Sequence, residues 1–449
     1  MTKTDNETQG DGSSVSAAVS AETSETYLAR MFGVDGRVGE LVLSAERDAQ
    51  ATFAAMDDIC AYNQYKVLRA FQQNKVSDTH FAWQTGYGYD DAGRAVTERV
   101  FADVFGAEAA LARPLIVNGT HALSLVFFGI LRPGDELLYC TGAPYDSLHS
   151  SIGLTGEGMG SLKEFGITYK QVELTKDGDL DFDAIERSIG PATKMIALQR
   201  ATGYSDRKAI TIESIRRWAS FVKATDPNIV TMTDNCYGEF LDREEPTEVG
   251  VDVMAGSLIK NPGGGLALSG GYVAGKRELI ERISYRMTCP GIGGECGLTF
   301  GQTRNILQGL FTAPKVVNGA LKGAMLCARV FEKLGYEVNP RYDEARSDII
   351  ETIRLGSAEA LVAFCEGVQA AAPVDSFVKP EPWAMPGYED EIVMAAGAFV
   401  QGSSIELSAD GPLRPPYNAY FQGGLSYEHA KFGVIMAVRQ LLEKGLITL

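Results

Sequence analysis

A chain of 449 residues with 45% apolar content is long enough for one large and one small domain, each with a buried core. Its formal charge of −17 argues against a nucleic-acid or anionic-membrane partner, and no run approaches the roughly 18 uninterrupted apolar residues of a membrane span. The seven cysteines form no Cys-x-x-Cys pair and no zinc set with any of the four histidines, which implies reduced thiols, a cytoplasmic setting and no metal.

Residues 1–25 are rich in Ser, Thr, Ala, Glu and Gly, lack a basic start and an apolar core, and read as a disordered tail rather than a signal peptide. A helical arm and segment spans 26–94. Its residues 38–73 carry few breakers and reach toward a neighbouring subunit, and 83–94 is a Gly/Tyr-rich loop. Between 95 and 300, strand-like runs at 114–118, 136–140, 167–174, 193–199, 228–233 and 255–260 alternate with helical stretches such as 210–224. That alternation specifies an α/β domain with a mainly parallel sheet covered on both faces, and 266–274 adds a seventh, antiparallel strand. A helical connector over 301–334, interrupted near Pro314, leads to a small α+β domain over 335–449 that closes with a helix at 427–444.

Lys260 is the most informative residue. It closes the run Ser257-Leu258-Ile259 and opens into Asn261-Pro262-Gly263-Gly264-Gly265, with no partner carboxylate nearby in sequence. An amine in a partly dry site has a lowered pKa and keeps its lone pair, so Lys260 is placed to condense with an aldehyde such as pyridoxal 5'-phosphate (PLP). The glycines would leave room for the flat ring. A strand-end lysine before a flexible loop is the plain alternative. Asp234, 260 − 234 = 26 residues upstream, favours the first reading, because it ends the run Ile229-Val230-Thr231-Met232-Thr233. A carboxylate at that edge of an open α/β sheet can pair with the pyridine nitrogen and keep the ring an electron sink.

The phosphate needs donors, and Val117-Asn118-Gly119-Thr120-His121 supplies a tight turn at Gly119 before a helix at 122–131. Backbone N–H groups and a positive helix end converge there, Thr120 adds a hydroxyl, His121 sits in the turn, and Ser257 is a further donor. Tyr145 follows the strand-like 136–140 in the turn Gly142-Ala143-Pro144, placed to lay its ring over the pyridine. His80, His149 and His429 carry no spacing signal and read as structural. Cys289 and Cys296 flank what reads as a glycine-rich active-site loop.

Thr120, Tyr145, Asp234 and Lys260 occur in the order of the aspartate-aminotransferase-like superfamily of PLP enzymes, fold type I. The strings Gly86-Tyr87-Gly88-Tyr89-Asp90-Asp91-Ala92-Gly93-Arg94, Gly119-Thr120-His121-Ala122, Gln199-Arg200-Ala201-Thr202-Gly203-Tyr204, Asp234-Asn235-Cys236-Tyr237-Gly238-Glu239-Phe240 and Gln422-Gly423-Gly424-Leu425 resemble the methionine γ-lyase-like family, often labelled aluminium resistance proteins. Coverage runs from about residue 25 to the C-terminus. The resemblance implies the PLP-dependent transferase fold, an amino-acid substrate, and a homodimer or homotetramer with shared active sites in which Tyr89 and Arg94 reach a neighbour's phosphate. An arginine should hold the substrate carboxylate bidentately. Arg414, in the small domain where related folds carry such a residue, and Arg200, at the end of 193–199, are the two candidates. Ile259 stands where better-known cystathionine and methionine lyases carry a hydroxyl residue.

The parts imply that Lys260 removes the substrate's Cα proton while Asp234 keeps the ring protonated. By resemblance, Tyr145 helps protonate a departing thiol. The expected activity is carbon–sulfur elimination, γ or β, from a sulfur amino acid such as methionine, cystathionine or cysteine. An aminotransferase or aldolase on the same scaffold, and a non-enzymatic role in stress or metal tolerance, are the alternatives.

Overall fold

The computed structural model describes residues 23–156, 158–205, 207–384 and 390–449. The tail expected over 1–25 lies outside them except for its last three residues, where Thr23 caps helix α1 (Ser24–Phe32) by accepting the Thr26 N–H. Helix α2 (Gly36–Gln73) starts at Asp35, whose carboxylate accepts the Arg37 N–H. Its two halves serve different cores. Val38, Val42 and Phe53 pack into the small domain's core, and Val67 and Ala70 into the large domain's, so the segment 26–94 contributes to both.

After α3 (Ala92–Val104) come β1 (Ala109–Arg113), α4 (Gly119–Ile130), β2 (Glu136–Tyr139), α5 (His149–Ile152), β3 (Thr168–Gln171) and α6 (Phe182–Ser188). The large domain continues with β4 (Thr193–Gln199), α7 (Ile212–Thr225), β5 (Val230–Asp234), β6 (Val253–Ser257), β7 (Gly271–Gly275) and α8 (Arg277–Met287). Its seven strands lie in the order β1-β7-β6-β5-β4-β2-β3. β7 runs antiparallel to β1 and β6, and the pairs from β6 through β3 are parallel, which is the mainly parallel sheet the alternation implied.

Three expectations shift. The strand placed at 114–118 is a turn, with the Ile116 N–H bonded to the Arg113 carbonyl, and β1 lies five residues earlier. Its alanines give no strand signal, yet Ala110 and Ala112 face one core and Leu111 the other, which is the period-2 burial of a strand. β6 ends at Ser257, so Lys260 stands beyond the strand at the start of a 3-10 turn (Asn261–Gly263). Helix α9 (Thr303–Lys333) runs unbroken through Pro314. Leu310, Ala313 and Val317 around that proline are buried, and their packing offsets a helix-interior cost of about 3 kcal/mol.

The small domain holds β8 (Glu337–Asn339), β9 (Glu351–Arg354), α10 (Ala358–Ala370), β10 (Ile392–Ala395), β11 (Ser408–Pro412), β12 (Asn418–Gln422) and α11 (Tyr427–Glu443). Its antiparallel sheet has the order β10-β11-β12-β9-β8. Among the described residues no helix is long and apolar enough to cross a membrane.

Candidate active site

The carboxyl ends of β2, β4, β5 and β6 open on one cleft, where open α/β sheets bind ligands. β5 ends on Asp234, 4% exposed, in register with Gln199 of β4 and Ala255 of β6. Its Oδ1 accepts the Cys236 N–H at 3.1 Å. Burial pushes this carboxyl above its usual range, against the pull of Lys260, the Cys236 N–H and Arg207.

Lys260 lies past the end of the neighbouring β6, with Nζ 3.9 Å from the centre of the Tyr237 ring. Burial opposes its charge most strongly, but Cys236, Tyr237, Asp234 and Glu239 outweigh burial and hold the ammonium above its ordinary range. The direction is opposite to the lowered pKa expected from the sequence, because Cys236 and Tyr237 first, then Asp234 and Glu239, outweigh burial. The loop is anchored by Asn261, whose Nδ2 donates to the Glu239 carbonyl at 3.1 Å, while the Glu239 side chain accepts from the Tyr272 hydroxyl at 2.7 Å. The three glycines after Pro262 do not make room for a ring. A Cβ on Gly263 would collide with the Leu258 carbonyl, and one on Gly265, at φ +73°, with the Leu425 side chain, so they let the loop pack closely on its own chain.

Asn118 caps α4: its Oδ1 accepts the His121 N–H at 2.8 Å, and His121 Nδ1 accepts the Val117 N–H at 3.1 Å. His121 thus closes the turn through both backbone and ring and does not line the cleft. Gly119 and Thr120 do line it, with their first-turn N–H groups at the helix end. Thr120 Oγ1 lies 2.6 Å from Ser147 Oγ, and Ser257 Oγ accepts the Ile259 N–H at 3.3 Å while keeping its own proton to donate. Three hydroxyls therefore meet the helix end. A Cβ on Gly119 would stand 3.3 Å from Ser257 Cβ and 3.4 Å from Cys236 Sγ, so the glycine lets α4 seat against β6.

The cleft, about 210 Å³, adjoins a second chamber of about 290 Å³ beneath the small domain. Tyr145, Gly203, Tyr237, Lys260 and Gly402 wall both. Tyr145 packs beside Gly203 and 6.4 Å, centre to centre, from the Tyr204 ring.

Neither carboxylate-binding candidate reaches these cavities. Arg200 is fully buried, donating to Asn235 Oδ1 at 3.1 Å, the Gly238 carbonyl at 2.8 Å and Asp242 Oδ2 at 2.6 Å. Arg414 is 52% exposed and paired with Asp390 at 2.9 Å. Arg94 donates to the carbonyls of Gly88, Gly297 and Glu295, and Arg113 to those of Gly294 and Cys296. Together they pin the glycine-rich loop between the free thiols Cys289 and Cys296. Tyr89 is 57% exposed beside Tyr87, and neither it nor Arg94 lines the cavities of its own chain. Sequence reasoning missed Tyr237, Ser147 and the small-domain wall. Only Tyr237 had a signal, its place three residues after Asp234 at the same strand end.

The strand order and the Lys260–Asp234 pair at the sheet's carboxyl edge place the fold among the PLP-dependent proteins of fold type I. The PLP-dependent protein YhfS of Escherichia coli matches it with a TM-score of 0.58 over 86% of this chain and 97% of that one, at 16% identity, a likeness of fold alone. The chain belongs to the methionine gamma-lyase family, whose profile matches residues 38–442. It is 51% identical over 414 residues to the uncharacterized protein YnbB of Bacillus subtilis (strain 168), covering 91% of this chain and 98% of that one. It is similar at 50% identity and a TM-score of 0.90 to a carbon-sulfur lyase involved in aluminum resistance from Clostridium novyi NT, over 94% of this chain and 100% of that one.

Proposed function

We propose that the protein is a PLP-dependent lyase that eliminates a thiol from a sulfur amino acid. The observation that carries this reading is the position of Lys260, on the wall shared by a cleft with phosphate-type donors and a chamber large enough for an amino acid. The residues fit the cofactor. Gly119, Thr120, Ser147 and Ser257 present N–H and O–H donors for its phosphate, buried Asp234 offers an acceptor for its ring nitrogen, and Lys260 offers the amine that would bind its aldehyde. When bound, the cofactor supplies a sink for the electron pair left at the substrate's Cα.

The chain's own groups do the rest. The Lys260 amine takes the proton from Cα and, in a γ-elimination, the later one from Cβ. Asp234, deep in the sheet edge, would accept from the ring nitrogen and keep it protonated. The Tyr145 phenol, facing both cavities, donates a proton to the departing sulfur. Family membership and the carbon-sulfur lyase of Clostridium novyi NT support elimination over the other reactions of this fold.

The test is to incubate the PLP-loaded protein with methionine, cystathionine and cysteine and to assay keto acid, ammonia and thiol. The lyase reading expects keto acid and ammonia with stoichiometric release of a thiol or sulfide. γ-Elimination gives 2-oxobutanoate from methionine, and β-elimination gives pyruvate from cysteine. Keto acid that forms only with an added keto-acid acceptor, without released thiol, identifies an aminotransferase instead.

A further inference from the structure

The chamber of about 290 Å³ extends past Lys260 toward the small domain, and its far side is built by residues that do not line the cleft. The small-domain sheet supplies one row of that side. The register pairs Met394 of β10 with Asp410 of β11, and Asp410 with Tyr420 of β12, so the three stand directly across from one another on one face. Asp410, in the middle, is bonded from the large domain by the Tyr204 hydroxyl. The Tyr204 ring lies 5.1 Å, centre to centre, from Tyr420 and 6.4 Å from Tyr145, so a chain of three rings runs from the shared wall to the small domain.

The open surface of this chamber is apolar. Tyr145, Tyr204, Tyr237, Met394 and Ala398 are half-buried and Ala396 is exposed, whereas Asp410, Gln422 and the lining serines are each at most 8% exposed. The two charged residues of the lining do not change this. Lys260 is committed to the cofactor, and the Asp410 carboxyl is taken up by Tyr204 and pushed by burial up to about 7. A charged group entering here would give up its water for ring faces, a thioether and methyl groups. An aromatic ring suits the same wall, because ring centres about 4.5–7 Å apart and thioether contacts at a ring are both favourable, and a cavity of about 150 Å³ already admits benzene.

We propose that the chamber is a specificity site for an aromatic group carried on the substrate's sulfur, so that the preferred substrates are S-arylmethyl cysteines and similar thioether amino acids with a flat apolar arm. The proposal rests on the lyase reading for placing the sulfur at Lys260 and Tyr145, with the arm directed away from the cleft. Methionine, with only a methyl on sulfur, leaves the far side unfilled. In β-elimination from S-benzyl-L-cysteine the Cα–H and Cβ–S bonds break, Lys260 takes the Cα proton, and the sulfur leaves as phenylmethanethiol with a proton from Tyr145. One water then completes pyruvate and ammonia.

Calorimetry on the PLP-loaded Lys260→Ala protein measures the binding of S-benzyl-, S-methyl- and S-(2-carboxyethyl)-L-cysteine. Their amino-acid heads are identical, so the ratios read the arm. The expected result is about ten-fold or more tighter binding of the benzyl compound than of either other. Tyr204→Ala, which removes a ring, and Met394→Gln, which sets an amide in its row, should each lower the benzyl-to-methyl ratio roughly three-fold or more. Met394→Gln decides alone if Tyr204→Ala does not fold. A benzyl compound that binds no tighter than the other two, or a ratio that Met394→Gln leaves unchanged, overturns the site. Pyruvate release by the PLP-loaded wild type measures turnover. Absence of pyruvate from all three compounds counts against the lyase reading, while the calorimetric ratios still decide the chamber.

Discussion

Lys260 Nζ rests 3.9 Å from the centre of the Tyr237 ring, so the amine of the cleft is held against an aromatic face supplied by the residue three positions after Asp234. Tyr237 takes this place with φ +70°, a left-handed conformation that costs a non-glycine residue about 1–3 kcal/mol. The position is explained by its double role, since its side chain walls both cavities. Tyr237→Phe should keep the ring face and most activity. Tyr237→Ala should lose about 0.5–2 kcal/mol of amine orientation, roughly two- to thirty-fold in kcat/KM for thiol release. Equal losses in the two variants would show that the phenol oxygen, not the ring face, is what matters.

Asp234→Asn should still bind PLP through the phosphate donors but lose most turnover, because a neutral amide cannot hold the ring nitrogen protonated. Losing a charge-assisted hydrogen bond of about 1.5–3 kcal/mol corresponds to about one to two decades in rate. Stopped-flow turnover on protein with verified PLP content checks this. Wild-type turnover in the variant would remove Asp234 from the role assigned to it.

Glu239 gives the account a pH signature. Burial raises its carboxyl from the ordinary 4.5 to about 8, with the Tyr272 hydroxyl and Lys260 pulling the other way. Between those values the folded chain keeps a proton that the unfolded chain releases. The stability contributed by this group is therefore greatest below pH 4.5, falls as pH rises toward 8 and is flat beyond. Glu239→Gln fixes the neutral form and keeps an oxygen for the Tyr272 hydroxyl. Thermal unfolding of the cofactor-free protein should give similar midpoints for both at pH 5 and a higher midpoint for the variant at pH 9. A wild type that tracks the variant across this range would contradict the raised value.

Tyr89 tests whether active sites are shared between subunits. It is exposed and away from the cavities of its own chain, so a role for it at the phosphate requires a second copy. Mixing inactive Lys260→Ala subunits with a Tyr89→Ala variant of reduced activity should raise turnover above that of either parent, since one site of each hybrid would be intact. No gain despite demonstrated subunit exchange would mean that Tyr89 serves no neighbouring site.

The parts of the site that lie at strand ends were legible in the sequence. Asp234, Ser257 and Lys260 follow apolar runs that burial forces into the sheet, and the sheet's parallel connections bring their ends together, while Thr120 was marked by the Asn-Gly-Thr start of its helix. β1 was misplaced because Ala109–Arg113 owes its strand to packing between two cores rather than to its own residue types. The arginine candidates failed for a related reason. Local sequence marked Arg200 as a strand-end residue but not that Asn235, Gly238 and Asp242 would take up its guanidinium. The chamber was invisible because Tyr204 and Asp410, 410 − 204 = 206 positions apart, are joined only by the docking of the small domain.

The central claim is that Lys260 is the amine that binds PLP, and borohydride trapping tests it most directly. Protein loaded with PLP, reduced with borohydride, digested and mapped by mass spectrometry should carry the pyridoxyl group on Lys260, and Lys260→Ala protein treated identically should carry none at any lysine. A protein that gains no visible absorbance with PLP, or a pyridoxyl group found on another lysine with Lys260 unmodified, would contradict the account.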